Sequence, residues 1–135
     1  MPTDTKTKIY SQAIGRRKRS IAQVRLIAGK GEVIINGKKP ELYFGAHQDL
    51  NRILKPLQLL SLEKYDVSAK ISGGGTTGQL DALVLAIARA VAGLKKDNKI
   101  AMRNAELLTR DSRKKQRRMV GMGGKSRRKK QSPKR

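Results

Sequence analysis

Asp111 is the last acidic residue of the chain, and the 24 residues after it carry 12 lysines and arginines. No core can be built from that stretch. Its sizeable apolar side chains are Met119, Val120 and Met122, too few to offset an ordering cost of ~1–2 kcal/mol per residue. Gly121, Gly123, Gly124 and Pro133 interrupt any long helix. Residues 112–135 are therefore expected to form an extended basic tail, disordered when free, with a reach of roughly 80 Å at ~3.3 Å per residue. Folding falls to what precedes it, a globular body over 9–111 behind a flexible, polar N-terminus, 1–8.

The charge divides unevenly between these parts. Residues 1–111 hold 20 basic and 10 acidic side chains, a net +10, while the tail adds +12. A total of +22 on 135 residues repels itself in a free compact state, and a polyanion both neutralises it and gains from counterion release. The absence of cysteine excludes disulfides, cysteine zinc sites and thiol catalysis, and suits a reducing compartment. His47 is the only histidine, so no histidine metal cluster is available and no cofactor is expected. The first residues lack the apolar core of a signal peptide. The longest apolar stretch, Leu83–Leu94, is interrupted by Arg89 and falls short of the ~18 residues of a membrane span. A cytoplasmic protein with no membrane partner is expected.

Within the body, Ile9–Ile14 reads as a strand, followed by the run Gly15-Arg16-Arg17-Lys18-Arg19. Ala22, Val24 and Leu26 then alternate with Gln23, Arg25 and Ile27, the period of a half-buried strand. Ala28-Gly29-Lys30-Gly31 is expected to make a hairpin turn into a third strand over Glu32–Ile35, ended by Asn36-Gly37. A helical piece starts at Pro40, and another runs from Asp49 through Leu54 until Pro56 stops it. Asp66–Ser72 is the clearest strand. After the glycine loop 73–78, Leu80, Leu83, Val84, Ile87, Val91 and Leu94 mark the apolar face of a helix, and a second helix covers roughly Lys99–Leu108. The fold class is α+β, a two-layer α/β sandwich of about four strands with its helices on one face.

Gly73, Gly75 and Gly78 satisfy G-x-G-x-x-G between a strand and a helix, the pattern of a dinucleotide site. The ribose-binding acid of such a site ends a second parallel strand, and Lys95-Lys96-Asp97-Asn98-Lys99 has no β run behind it. A P-loop fails as well, because Gln79 and Leu80 stand where lysine and a hydroxyl are needed. Two readings of Gly73, Gly74, Gly75 and Gly78 stand side by side. One is a tight strand-to-helix turn; the other is a backbone loop at a helix N-terminus that binds one phosphate of a larger RNA. His47 has no thiol to activate, and the ten carboxylates are scattered among bases, which suits local charge pairing. No enzyme emerges.

The run Arg16, Arg17, Lys18 and Arg19 lies between two strands with no acid near it in sequence, which points to phosphate contact. Tyr10, Tyr43, Phe44 and Tyr65 do not place two stacking rings on one strand, so base-stacking readout of single-stranded RNA is not expected. Shape and phosphate recognition of a folded RNA remains, with a histone-like architectural DNA binder as the alternative that charge alone allows.

The blocks Ala13–Val24, Ile35-Asn36-Gly37-Lys38, Tyr65-Asp66-Val67, Gly73–Gln79, Ala86–Ala90, Leu108–Arg113 and the terminal Lys134-Arg135 occur in the order found in the universal family of small-subunit ribosomal protein nine. The chain resembles its bacterial or organellar form over residues 9–135. The resemblance implies a four-stranded sheet with a left-handed βαβ crossover, docked on the head of the small subunit against 16S-type rRNA and neighbouring head proteins, without homo-oligomers. It also implies a tail threaded toward the peptidyl-tRNA site, where Lys134 and Arg135 approach the tRNA. Arg16, Arg17, Lys18, Arg110 and Arg113 match the RNA-facing blocks, and Arg19 with the tail cations Lys114, Arg117, Arg118, Arg127 and Arg128 is counted among the rRNA-binding residues. Arg89 matches too, and both RNA contact and an internal ion pair are open to it. The chain departs from the pattern at Glu106, where the family usually has glycine, at Gly123-Gly124, and at Pro133, where it commonly has serine.

Overall fold

Period-two alternation builds most of the sheet in the computed structural model, which describes residues 9–45, 50–62, 64–124 and 127–129. Residues 1–8, His47, Pro133, Lys134 and Arg135 lie outside them. Strand β1 (Ile9–Arg17) pairs antiparallel with β2 (Ser20–Ala28), and β2 pairs antiparallel with β4 (Tyr65–Ser72). A short β3 (Val33–Ile35) lies parallel to β4 at the edge, so the strand order is β1-β2-β4-β3. The expected β2–β3 hairpin is thus overturned, since β4 separates the two strands. The cause is Asp66 on β4: its Oδ1 accepts hydrogen bonds from the backbone amides of Lys30 at 2.7 Å and of Gly31 and Glu32 at 2.9 Å. The connection is pinned across the end of β4 and delivers β3 to the far side. Asn36 continues the pairing beyond β3, donating to the Ile71 carbonyl and accepting from the Ile71 amide, both at 3.0 Å.

The parallel β3–β4 pair requires a crossover, made by α1 (Pro40–Phe44) and α2 (Asn51–Gln58). Pro56 does not end α2 as expected. It sits buried inside the helix, where the loss of one amide donor is accompanied by burial of Ile53, Pro56 and Leu57, and the ladder resumes with Leu59 N donating to Lys55 O at 3.1 Å. Helix α3 (Thr76–Ala92) begins one turn before the apolar series, directly from the glycine loop. Helix α4 (Lys96–Asn104) stops short of Leu108. Glu106 there takes φ 58°, its amide donates to Arg103 O at 3.0 Å, and Leu107 N reaches back to Met102 O at 3.1 Å. This pair of bonds closes a helix with a left-handed residue, normally glycine.

Among the described residues, one face of the sheet is covered and the other is bare. Ala22, Val24 and Leu26 of β2, Val67, Ala69 and Ile71 of β4 and Val33 and Ile35 of β3 are buried against Leu80, Leu83, Ala86, Ile87, Ala90 and Val91 of α3. Each fully buried Leu, Ile or Val contributes on the order of 1.5–3 kcal/mol. Small residues let α3 lie close on the sheet. A Cβ added at Gly15 of β1 would stand 2.0 Å from the Ala82 carbonyl oxygen and 2.6 Å from the Ala86 amide nitrogen, so only glycine fits under this helix.

Candidate nucleic-acid interface

The basic run is less of a loop than its composition suggests. β1 carries on to Arg17, and Lys18 and Arg19 form the two-residue turn before Ser20. Strand alternation therefore divides the four cations. Arg16, Lys18 and Arg19 are exposed, while Arg17 shares the helix-covered side with Gly15 and its side chain is only 12% exposed. The acids missing from its sequence neighbourhood arrive through the fold. The Arg17 guanidinium is 3.7 Å from the Asp81 carboxylate of α3 and 3.1 Å from that of Asp111, and it donates to the Arg113 carbonyl oxygen at 2.7 Å. Arg52 of α2, which the sequence did not single out, donates to the other Asp81 oxygen at 2.8 Å. Sheet, α2, α3 and the start of the tail meet in one charged cluster, and Arg17 is its internal member.

Asp111 holds the root of the tail. Arg113 folds back on it, donating from its backbone amide to Oδ1 at 3.0 Å and from its guanidinium to Oδ2 at 2.7 Å. These side-chain and backbone hydrogen bonds, with the charges of Arg113 and Arg17 adding, hold the Asp111 carboxyl well below the usual carboxylate range. The Arg113 guanidinium is pushed up by the same hydrogen bond. Arg110 faces solvent. Arg89 is exposed and donates to the Ile14 carbonyl oxygen at 2.9 Å, a hydrogen bond to β1 in place of the ion pair considered for it. Past the root, residues 112–124 and 127–129 contain no helix or strand, and Lys114, Arg117, Arg118, Arg127 and Arg128 are all exposed.

The glycine loop is packed on the basic turn. A Cβ on Gly73 would stand 2.7 Å from the Arg19 carbonyl oxygen, and one on Gly74, at φ 65°, would meet the Ser20 hydroxyl at 2.1 Å. Ser20 is fully buried, and its Oγ has no hydrogen-bond partner among the described residues. Gln79 fixes the loop, its Nε2 donating to Gly73 O at 3.0 Å and its Oε1 accepting from the Tyr43 hydroxyl at 3.1 Å. Gly73–Thr77 remain exposed, α3 starts from Gly75, and no acidic side chain occupies its first turn. The positive end of a 17-residue helix thus lies beside Lys18 and Arg19. The topology does not fit a dinucleotide domain either, since α3 leads into α4 and no further strand follows among the described residues.

Two more groups complete the picture. The aromatic rings are consumed in edge-to-face pairs, Tyr10 with Tyr65 at 5.2 Å and Tyr43 with Phe44 at 5.0 Å, so they form no stacking platform. Among the described residues no cluster of potential metal ligands occurs, and no helix is long and apolar enough to cross a membrane. Exposed strand positions add cations that motif reading passed over, Arg25 on β2 and Lys70 on β4; their signal was the polar half of the period-two pattern.

Residues 15–135 match the family described as Ribosomal protein S9/S16. The small ribosomal subunit protein uS9 of Gloeothece citriformis is 44% identical over 122 residues, covering 89% of this chain and 89% of its own. Its counterpart in Synechocystis is 43% identical over 121 residues, with 88% of each chain covered. That of Ureaplasma parvum is 43% identical over 114 residues, 84% of this chain and 86% of its own.

Proposed function

Because the chain belongs to the ribosomal protein S9 family, we propose that it is a non-catalytic constituent of the small ribosomal subunit that binds rRNA with its body and reaches peptidyl-site tRNA with its tail. The observation that carries this reading is the division of its cations. Arg16, Lys18 and Arg19 project from a rigid sheet end, whereas the 12 tail cations meet no acid in their own segment. A rigid cationic end recognises a folded RNA by shape, because its charges are spaced by strand geometry. A flexible cationic arm binds wherever phosphates are dense and extends through gaps that a globular domain cannot enter.

Three contacts follow from this. The turn Lys18-Arg19 and the adjoining loop of Gly73, Gly74 and Gly75 hold one rRNA phosphate, with the α3 dipole favouring the anion; Gly78, expected in the same loop, is instead buried in α3 against Ser20. Arg110, Arg113, Lys114, Arg117, Arg118, Arg127 and Arg128 line the path of the tail through rRNA. Lys134 and Arg135 end at the tRNA. Arg17 serves differently, by joining the tail root to the body. The reported relatives are all small-subunit proteins, which leaves the histone-like alternative with charge as its sole support.

The experiment is reconstitution of small subunits with the full chain or with a chain lacking Lys134 and Arg135. Both chains should co-sediment with the subunit, and only the shortened one should give weaker peptidyl-site tRNA binding, by roughly tenfold for two lost phosphate contacts. Equal tRNA affinity would remove the role of the terminal pair, and failure of the full chain to sediment with subunits would remove the ribosomal assignment.

A further inference from the structure

The bare face of the sheet has a composition of its own. Cross-strand register sets Arg16 opposite Ile21 and Ile21 opposite Ser72; Ile14 opposite Gln23 and Gln23 opposite Lys70; and Gln12 opposite Arg25 and Arg25 opposite Ser68, with Ile34 beside Ser68. None of the residues in these three rows is acidic. Arg16, Arg25 and Lys70 are exposed and form no ion pair among the described residues. Asp66 lies one row further and is occupied by three loop amides, and Glu32 lies at the rim beyond β3. Beside the cations sit Ile14, Ile21 and, on the edge strand, Ile34, which are 41–44% exposed.

We infer that this helix-free sheet face is a second docking surface for folded rRNA, with Arg25 and Lys70 extending the phosphate contacts that begin at Arg16. The inference rests on the ribosomal reading above and adds the surface and the chemistry it recognises. Strand spacing puts Lys70 roughly 8 Å from Arg25 and roughly 12 Å from Arg16 between Cα atoms, so the cations form a triangle spread over three strands. Arg16 adjoins Lys18 and Arg19 of the turn at one end, so the face and the turn present the same sign of charge. The isoleucines offer aliphatic contact but no π-face, and Gln12, Gln23, Ser68 and Ser72 offer hydrogen bonds. That combination suits riboses, 2′-hydroxyls and phosphates of a backbone, not stacked bases. Charge selects the occupant. Three rows with three unpaired cations and no carboxylate among them are complementary to a polyanion and repel the basic surface of another chain like this one.

The test uses the full chain and a small-subunit rRNA transcript, with affinity measured across a salt series for three proteins: the unaltered chain, R25Q/K70Q, and K95Q/K96Q. The last pair removes the same charge from exposed positions at the start of α4 and is the control for net charge. If the inference holds, R25Q/K70Q binds about tenfold or more weakly near 0.1 M salt and its log–log salt slope falls by about 1.5, the value for two lost phosphate contacts, while the control changes much less. Equal losses in the two variants overturn it. Failure of the unaltered chain to prefer rRNA over duplex DNA is a different result and overturns the ribosomal reading itself. A photoreactive side chain at position 23, introduced before subunit assembly, reports independently. Crosslinks to rRNA support the surface, and crosslinks to a neighbouring protein overturn it. Matching thermal melts of the three proteins establish that the substitutions act on binding.

Discussion

The body and the tail carry nearly equal net charge, +10 and +12, and use it in opposite ways. In the body, ten carboxylates accompany 20 cations, and the fold assigns some of them as partners. Arg17 is 12% exposed with two carboxylates within reach, while Arg16 next to it faces outward with none. Geometry decides which arginine is structural and which is free to bind. In the tail only Arg113, at the root, is sorted this way, by Asp111; beyond it the described residues form no strand to place side chains and the segment holds no acid to pair them. A body cation acts through position, and a tail cation through number.

That contrast can be broken most forcefully at Gly15. Gly15→Ala drives a methyl group into the backbone of α3, and a body-wide loss of about 3 kcal/mol is expected, the upper end of overpacking costs. Thermal unfolding measures it, and an unchanged midpoint would mean that α3 does not rest on β1. Removal of residues 115–135, which hold ten cations, should do the reverse. The salt slope of rRNA binding should drop by several units, up to about 8 if every cation meets a phosphate, while the unfolding midpoint barely moves. A large fall in the midpoint would make the tail part of the body.

The boundary between the two regions is tested at Asp111. In Asp111→Asn the Arg113 amide loses its charged acceptor, so its hydrogen exchange should quicken without global destabilisation. The pH dependence has a definite sign. A carboxyl held below its ordinary value anchors fully above that value and lets go only as pH falls through the lowered one, and the shift here is downward. The anchor in the unaltered chain should therefore persist from neutral pH to about pH 4, after correction for intrinsic exchange. Loss of protection already at pH 6 would contradict the hydrogen-bonded carboxylate. The smallest effect is at Glu106, at φ 58°. Glu106→Gly should raise stability by about 1 kcal/mol or slightly less, because glycine adopts this conformation without a Cβ clash. A destabilised variant would show that the Glu106 side chain has another function.

Much of this was readable in one dimension. β2 and β4 declared themselves by alternation, α3 by apolar spacing and alanine content, and the tail by the absence of any acid after Asp111. The departure at Glu106 was visible as well, and its meaning became physical once the residue was found closing α4 in a left-handed conformation. The β2–β3 hairpin was misread because Gly29-Lys30-Gly31 looks like a turn from either topology. Asp66 settles the matter by binding the amides of Lys30, Gly31 and Glu32 from a strand that comes later in the chain. Pro56 was misread as a stop because proline forbids one hydrogen bond, whereas in α2 it is buried beside Ile53 and Leu57 in a helix short enough to tolerate the loss.

Charge distribution and apolar periodicity are properties of neighbouring residues, so the sequence alone determined that apolar patterning ends before Asp111 and that an acid-free basic segment follows it. Family blocks such as Gly15–Arg19, Gly73–Gln79 and Leu108–Arg113 were legible for the same reason. Which cations are bound and which are free was not, because ion pairing and burial depend on residues brought together from distant parts of the chain. Only the tertiary structure set Arg17 between Asp81 and Asp111, laid the glycine loop on the Lys18-Arg19 turn, and left Arg16, Lys70 and Arg25 together on a face that no helix covers. Those contacts join three or four elements at once, and no local pattern encodes them.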